Sequence, residues 1–324
     1  MYPRVPVATV HGVTLERSGI GGEAGESGEF VRQDSLFREA VTADGSSGFP
    51  AAAGRYHLYV ARACPWAHRT LIVRKLKGLE AAIDVSYAHP YRDDRGWAFP
   101  GGDHVDQLNG FDLLSEAYER TDPSFEGRVS VPVLWDRVEG RIVNNESAEI
   151  IRMLNSEFDA FAEHPELDLY PEELRPEIDR INHRVYEDVN NGVYRAGFAR
   201  SQAAYDEAFE RLFAALSWLE ETLGERRYLV GDRITEADWR LFTTLARFDA
   251  IYYVHFRCNG RLISDHPNLW GYARELYAQP GVAETFDLAE AKEHYYTTHD
   301  ELNPKRIIPR GPFLDWTAPH GRDA

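Results

Sequence analysis

Hydrophobic and polar residues follow different patterns in the two halves of the chain. The first half contains a strand from Tyr56, a helix from Pro65 to about Gly78, strands at 83–89, 129–135 and 141–143, and a helix at about 146–158. This order of strand, helix, strand, hairpin and helix predicts a small α/β domain. A long polar and aromatic insertion, residues 90–127, separates its second and third strands.

Helical patterning dominates the second half, which follows a stretch rich in proline and glutamate at 164–176. Apolar residues recur at steps of three and four from Ala208 to Leu223 and predict an amphipathic helix that ends at Gly224. Thr235 and Asp238 have the spacing of a capping box, so a further helix is expected to begin there. We interpret Asp238 as a structural cap and not as a catalytic acid.

These patterns predict five segments along the chain. They are an irregular N-terminal extension at 1–54, an α/β domain at 55–160, a linker at 161–176, an all-helical domain at 177–302 and an extended C-terminal arm at 303–324. The N-terminal extension is rich in Gly, Ser, Glu and Ala, and we expect it to lie over the body of the protein and to be partly mobile at Gly19–Gly28.

Cys64 is the strongest candidate for a reactive group. It ends the first predicted strand, and Pro65 follows at the position where a helix is expected to begin. A cysteine at a helix N-terminus faces free N–H groups and the positive end of the helix dipole, which favours thiolate over thiol. The alternative is an inert buried cysteine, which is how we interpret Cys258 in its aromatic-rich helical stretch.

A second thiol close to Cys64 is missing, because Ala67 occupies the second cysteine position of a Cys-x-x-Cys motif. A disulfide formed at Cys64 must then be resolved from outside by thiol–disulfide exchange. The expected co-substrate is therefore a small thiol.

Composition restricts the possible partners of the protein and the cellular compartment in which it works. A net charge of −17 over 324 residues argues against nucleic acid, because phosphate contacts need clustered cations. We recognise neither a membrane span nor a signal peptide, and an exposed thiol suits a reducing cytoplasm. Strong acidity with only four lysines indicates adaptation to high salt, although a GC-rich genome would also favour arginine over lysine.

Several residues beside the cysteine could bind a thiol peptide. Pro132 stands at the start of the third strand, where a cis peptide bond would aim the backbone of Val131 at the ligand. Glu146 and Ser147 could hold an ammonium group and a carboxylate, or could simply cap a helix.

Two further residues of the first half are also candidates for ligand binding. Trp97 could stack on a ligand as a surface aromatic residue. Arg128 could pair with a carboxylate or be solvated.

Tyrosines are the unusual feature of the helical half. Tyr194, Tyr252 and the adjacent Tyr295 and Tyr296 suit a flat ligand that carries hydroxyl groups, although each tyrosine could instead pack in the core. The histidines lack the spacing of metal ligands, so no metal is expected.

Together these residues resemble the glutathionyl-hydroquinone reductases, the Xi class of glutathione transferases. The resemblance runs from about Asp34 to Pro312 and rests on seven blocks of sequence: Tyr-His-Leu-Tyr-Val-x-x-Ala-Cys64-Pro-Trp-Ala-His-Arg-Thr, Gly-Trp97-x-Phe, Val-Pro132-Val-Leu-Trp-Asp, Asn144-Asn-Glu146-Ser147, Asn-Gly-Val-Tyr194, Arg247-Phe-Asp-Ala-x-Tyr252 and His-Phe-x-Cys258-Asn. It implies a glutathione transferase fold, which combines an α/β thioredoxin-like N-terminal domain with an all-α C-terminal domain, and a homodimer.

The resemblance also implies roles for individual residues. Cys64 would be the nucleophile, and the residues that hold the thiol would be Trp97, Arg128, Val131 through its backbone, Glu146 and Ser147. The aromatic pocket would be lined by Tyr194, Tyr252 and one of Tyr295 and Tyr296, of which we favour Tyr295. Tyr253 and Val254 are larger than the family pattern and could narrow this pocket.

The function that this resemblance implies is reduction of glutathionyl-hydroquinones to hydroquinones. A single-cysteine ping-pong mechanism would proceed through a Cys64 mixed disulfide, with glutathione or γ-glutamylcysteine as co-substrate and small aromatic thiol conjugates as substrates. The alternatives are a glutaredoxin-like deglutathionylase or dehydroascorbate reductase, and a non-catalytic ligand carrier. The physiological quinone stays open.

Overall fold

The computed structural model describes residues 23–25 and 27–322, so half of the predicted mobile segment Gly19–Gly28, namely residues 19–22 and 26, lies outside the described residues. Two short strands, β1 (Glu23–Ala24) and β2 (Phe30–Val31), pair antiparallel. Further along the extension, Arg38 forms a β-bridge with Asn144. The N-terminal segment therefore runs beside the end of the main sheet, as we expected of an extension that lies over the protein body.

A four-stranded mixed sheet is the centre of the first half. Its strands are β3 (Tyr56–Val60), β4 (Ile83–Tyr87), β5 (Val133–Asp136) and β6 (Arg141–Asn144), in the spatial order β4-β3-β5-β6. β3 is parallel to β4 and antiparallel to β5, which is antiparallel to β6. All five residues of β3 are buried because it is a central strand.

Three helices accompany this sheet. α1 (Pro65–Leu76) follows β3, and α3 (Ser147–Ser156) follows β6 and packs on α1. α2 (Ser115–Thr121) lies in the insertion, where the sequence pattern predicted no helix. The third strand begins at Val133 and not at 129 as predicted, since Pro132 has no N–H to donate to the sheet.

The second half is helical, as predicted. Its helices are α4 (Arg175–Arg184), α5 (Gly192–Gly197), α6 (Gln202–Glu225), α7 (Glu236–Arg247), α8 (Tyr253–His255), α9 (Pro267–Tyr277) and α10 (Leu288–Thr298). π-helical segments at Val185–Asn190 and Phe248–Tyr252 lead into α5 and α8. α6 continues one residue beyond Gly224, and the predicted capping box of Thr235 and Asp238 is formed.

The C-terminal arm, residues 303–322 of the described chain, contains no helix or strand. It packs against the helical half, where the Trp316 ring lies 4.8 Å from the Trp270 ring and Arg322 Nε donates to Glu275 at 3.0 Å. Within the described ranges, no helix has the length and apolar character to cross a bilayer.

Candidate active site

Cys64 is the N-cap residue of α1. Its backbone is extended (φ −79°, ψ 123°), and no side chain caps this helix. The thiol therefore lies beside the first turn, where backbone N–H groups have no intrahelical acceptor. Its sulfur is 3.6 Å from the carbonyl oxygen of Val131, and the Val131–Pro132 peptide bond is cis, as predicted.

A cavity of about 120 Å³ opens beside this sulfur. Cys64 is buried but keeps 9% of its surface exposed. The cavity brings together eight of the nine predicted site residues, namely Cys64, Trp97, Arg128, Val131, Glu146, Ser147, Tyr194 and Tyr295. Residues from the N-terminal extension, the α/β half and the helical half thus meet at one cysteine.

Three tyrosine hydroxyls are joined by hydrogen bonds next to this cavity. Tyr295 lies 2.6 Å from Tyr194 and 3.0 Å from Tyr252, measured between hydroxyl oxygens. Burial raises the pKa of each of these phenols, so all three are protonated at neutral pH.

Tyr252, which was expected to line the pocket, does not line this cavity. Its side chain is fully buried behind Tyr194 and Tyr295, and its hydroxyl is bonded to that of Tyr295, which lines the cavity. Tyr295 lines the cavity and Tyr296 does not, because the Tyr296 hydroxyl donates to the carbonyl of Ala250 at 3.1 Å.

The predicted narrowing by Tyr253 and Val254 does not occur. Neither residue lines the cavity, and Val254 is 56% exposed. Both lie on α8, a single short turn whose outer side faces solvent.

Glu146 and Ser147 begin α3. Glu146 is the N-cap, and its carboxylate accepts the N–H of Ala148 at 3.0 Å and the hydroxyl of Ser35 at 3.1 Å. Ser147 Oγ accepts from the fully buried Arg69 at 3.3 Å. The helix-cap interpretation is therefore confirmed, and the same two side chains also line the cavity.

Trp97 is buried and not a surface residue, which corrects our expectation. It is only 4% exposed because its ring stacks on His294 with 4.9 Å between ring centres. Sequence reasoning missed Trp66 as a wall residue, although it follows Cys64 by two positions. The Trp66 ring stacks with Tyr194 at 6.4 Å and lines the cavity.

Sequence reasoning also missed two of the three arginines that line the cavity. These are Arg32 and Arg92, which join Arg128. Each of the three has a buried nitrogen without a hydrogen-bond partner among the described residues: Arg32 Nη2, Arg92 Nε and Arg128 Nε.

The charge of two of these arginines is poorly compensated. Burial, reinforced by Arg128, lowers the pKa of Arg92 to about 9, and burial, reinforced by Arg32, lowers that of Arg128 to about 10. Both remain cations at neutral pH. Unpaired buried cations around a cavity favour an anionic ligand.

Cys258 is a core residue, as predicted. It is fully buried, and this burial raises the pKa of its thiol, so it stays protonated. Among the residues that the structure describes, no three His, Cys, Asp or Glu side chains are grouped so as to hold a metal ion.

Comparison with known proteins gives concordant matches over most of the chain. Family models of the glutathione S-transferase N-terminal and C-terminal domains match residues 63–157 and 202–275. The glutathionyl-hydroquinone reductase PcpF of Sphingobium chlorophenolicum is 56% identical over 287 residues, which is 88% of this chain and 90% of PcpF. The glutathionyl-hydroquinone reductase YqjG of Escherichia coli K12 is 50% identical over 306 residues, which is 91% of this chain and 93% of YqjG.

Solved structures agree with these matches. The glutathione-bound structure of YqjG superposes with a TM-score of 0.87 at 50% identity and covers 89% of this chain and 96% of YqjG. The Xi-class transferase of Natrialba magadii has a TM-score of 0.86 at 52% identity, with 92% and 95% covered. The expected glutathione transferase fold is thereby confirmed. The chain belongs to the glutathionyl-hydroquinone reductases, the Xi class of the glutathione transferase family.

Proposed function

We propose that this protein reduces glutathionyl-hydroquinones to hydroquinones, with glutathione as reductant and a mixed disulfide on Cys64 as intermediate. The observation that carries the proposal is the shared cavity. The Cys64 sulfur, the Tyr194 and Tyr295 side chains and the predicted thiol-binding residues line the same space. Two relatives at 56% and 50% identity are named for this activity.

In the first half-reaction, the Cys64 thiolate attacks the sulfur of the conjugate. A Cys64–S–S–G bond forms, the bond between sulfur and ring carbon breaks, and its electron pair stays with the ring, which takes up one proton. Tyr194 and Tyr295 suit the role of proton donors, because their buried hydroxyls are protonated and lie at the cavity.

In the second half-reaction, a second glutathione attacks the mixed disulfide. Its thiolate forms oxidised glutathione, and Cys64 leaves as a thiolate. An external thiol is needed because the only other cysteine, Cys258, is fully buried in the helical half.

The glutathione part of each substrate would be held by its own charges. Glu146 would face the ammonium group, and Ser147 at the start of α3 would face the adjacent carboxylate. Arg128 would face the glycine carboxylate, Val131 would bind the peptide backbone, and Trp97 would cover the ligand. The unpartnered Nε of Arg128 supports glutathione over γ-glutamylcysteine, which lacks the glycine.

We also propose that the protein is a homodimer that works in the cytoplasm at high salt. The dimer rests on the family resemblance alone. The compartment is supported by two free cysteines, which persist in reducing conditions, and the salt adaptation by the net charge of −17.

Replacement of the two cysteines tests the mechanism. Cys64→Ala should abolish hydroquinone release, whereas Cys258→Ala, the matched control, should keep it. Mass spectrometry after incubation with a glutathionyl-hydroquinone should show one glutathione on Cys64 of the wild type and of Cys258→Ala. Reductase activity that survives in Cys64→Ala would disprove the proposal. Turnover of hydroxyethyl disulfide without any turnover of the conjugate would favour the glutaredoxin-like alternative.

A further inference from the structure

Arg92 stands out among the cavity residues because nothing in the proposed binding of glutathione uses it. It is 5% exposed, its Nε has no partner, and no carboxylate of the described residues pairs with its guanidinium group. A buried arginine without an anion is costly for the free protein, so a ligand group is the expected partner.

Contacts with α10, the helix that carries Tyr295, and with the Trp97 ring fix the position of Arg92. Its backbone N–H donates to Thr298 Oγ1 at 3.1 Å, and Thr298 ends α10, the helix that carries Tyr295. Its guanidinium lies over the Trp97 ring at 5.5 Å, and that ring stacks on His294 of the same helix. Arg92 lines the same cavity as Cys64, and burial together with the neighbouring Arg128 lowers the pKa of its guanidinium.

The charged groups of the substrate already have proposed partners, so Arg92 is free to bind the aromatic ring. A glutathione conjugate carries one ammonium group and two carboxylates, and the proposed function assigns these to Glu146, Ser147 and Arg128. The third cavity arginine, Arg32, is less buried than Arg92, and its Nε already donates to Asn191 at 2.7 Å while its guanidinium lies 4.7 Å from the rings of Trp66 and Tyr194. With the peptide groups assigned to Val131, the polar groups of the substrate without a proposed partner are the two ring oxygens.

Breaking the carbon–sulfur bond places charge on one of these oxygens. In the keto tautomer of the conjugate, the carbon that bears sulfur already carries a hydrogen, and the neighbouring ring oxygen is a carbonyl. When the Cys64 thiolate takes the sulfur, the electron pair of the broken bond moves onto this oxygen and the ring becomes an aromatic phenolate. The sulfur pair is oxidised to a disulfide, the ring is reduced, and a tyrosine proton then completes the hydroquinone.

We propose that Arg92 is a catalytic residue of this first half-reaction, and that its guanidinium binds the ring oxygen and stabilises the negative charge developing there. A preorganised cation in a water-poor site stabilises such charge more strongly than water does. The proposal rests on the proposed function, and it adds a residue to which the resemblance assigns no role.

Arg92→Met and Arg92→Lys test the proposal in single-turnover experiments that separate the two kinds of leaving group. With a glutathionyl-hydroquinone, Arg92→Met should release hydroquinone about 100-fold more slowly than the wild type, the loss typical of one missing oxyanion donor. Arg92→Lys should recover part of this loss. With glutathione disulfide, whose leaving group is a thiolate, adduct formation at Cys64 should stay within about twofold in both variants, since no ring oxygen takes part.

A series of conjugates with ring substituents of different acidity adds a second measurement. Without Arg92, the rate should depend more steeply on the acidity of the departing phenol. Arg95→Met is the matched control, because Arg95 is an exposed arginine of the same loop that pairs with Asp93 at 2.7 Å; it should behave as wild type.

Three results would overturn the proposal. Equal losses of rate with the conjugate and with glutathione disulfide would show that Arg92 binds the glutathione part. The other two are a conjugate rate that does not fall in Arg92→Met, and a dependence of the rate on phenol acidity that the substitution leaves unchanged. Failure of the wild type to act on any conjugate, with normal reaction at glutathione disulfide, would instead refute the proposed function, and this inference with it.

Discussion

Protons for the departing ring come, in the proposed reaction, from three tyrosine hydroxyls joined by two hydrogen bonds. Those two bonds use two of the three hydroxyl protons, so one proton is left for a ligand. Tyr252 is fully buried behind the other two, so the remaining proton lies at the cavity, on Tyr194 or Tyr295, when Tyr252 donates its own proton to Tyr295. Tyr295 occupies the middle position and connects both ends.

Tyr295→Phe should therefore slow hydroquinone release by roughly 100-fold, within the range for loss of a general acid. The adjacent Tyr296→Phe is the matched control, because the Tyr296 hydroxyl bonds to the Ala250 carbonyl away from the cavity. Single-turnover release of hydroquinone measures both variants. Equal rates for the two variants would show that the hydroxyl chain takes no part.

The residue types at the site were largely predictable from sequence, but their surroundings were not. Cys64, Pro132 and Glu146 stand at element boundaries that local patterns mark, so their positions follow from short-range rules. Arg32 and Arg92 lie in segments without periodicity, and only the tertiary fold brings them beside Cys64. Burial of Trp97 depends on a helix nearly 200 positions later, which no local pattern reveals.

Among the secondary-structure elements, α7 connects the helical half to the cysteine. The capping box of Thr235 and Asp238 begins it, and Asp238 also accepts from the Leu229 N–H at 3.0 Å and from the Tyr272 hydroxyl at 2.7 Å. At the other end, Arg247 donates to the carbonyls of Arg62 at 2.8 Å and Ala63 at 3.0 Å, directly before Cys64. The cap thus stabilises the helix whose last residue holds the backbone directly before Cys64.

Thr235→Val removes the capping hydroxyl while keeping the shape of the side chain. We expect the free energy of unfolding, measured by urea denaturation, to fall by about 1–2 kcal/mol, the usual cost of a lost cap. Thr235→Ser keeps the hydroxyl and should stay close to wild type. Because Thr235 is remote from the cavity lining, the kcat of the folded Thr235→Val protein should not change. A loss of activity without a loss of stability would contradict this structural role.

Over the whole molecule, local patterns predicted the order of elements better than their extents. Strands and helices of the first half follow from apolar runs and from proline positions, and the helical half follows from spacing such as that of Ala208 to Leu223. The short helix α2 escaped prediction because its seven residues are too few to display a period. The two π-helical segments escaped for a similar reason, since five or six residues of π-helix leave no distinct hydrophobic period in the sequence.

Buried histidines are distributed over both halves, and they make the stability of the whole chain sensitive to acid. Burial is the main cause that lowers the pKa of His57 and His255 to about 4 and that of His294 to about 3. Burial likewise holds the pKa of His68 and His299 well below the ordinary value. All five histidines are therefore neutral in the folded protein at neutral pH.

Unfolding restores the ordinary histidine pKa of about 6.5, so below that pH the unfolded chain binds protons that the folded chain does not. The free energy of unfolding is therefore at its full value, as far as these histidines are concerned, above about pH 6.5, and it decreases as the pH falls towards about 4. Each buried histidine should cost on the order of 1 kcal/mol per pH unit in this window. Urea denaturation between about pH 7.5 and pH 5 should show this decline in the free energy of unfolding. His57→Gln should make the decline less steep by the contribution of one histidine, because glutamine can still bond to Ser86 Oγ but does not titrate. A free energy of unfolding that stays constant across this range would mean that the buried histidines are already charged and paired with compensating groups in the folded protein, and the acid sensitivity argued from their burial would be wrong.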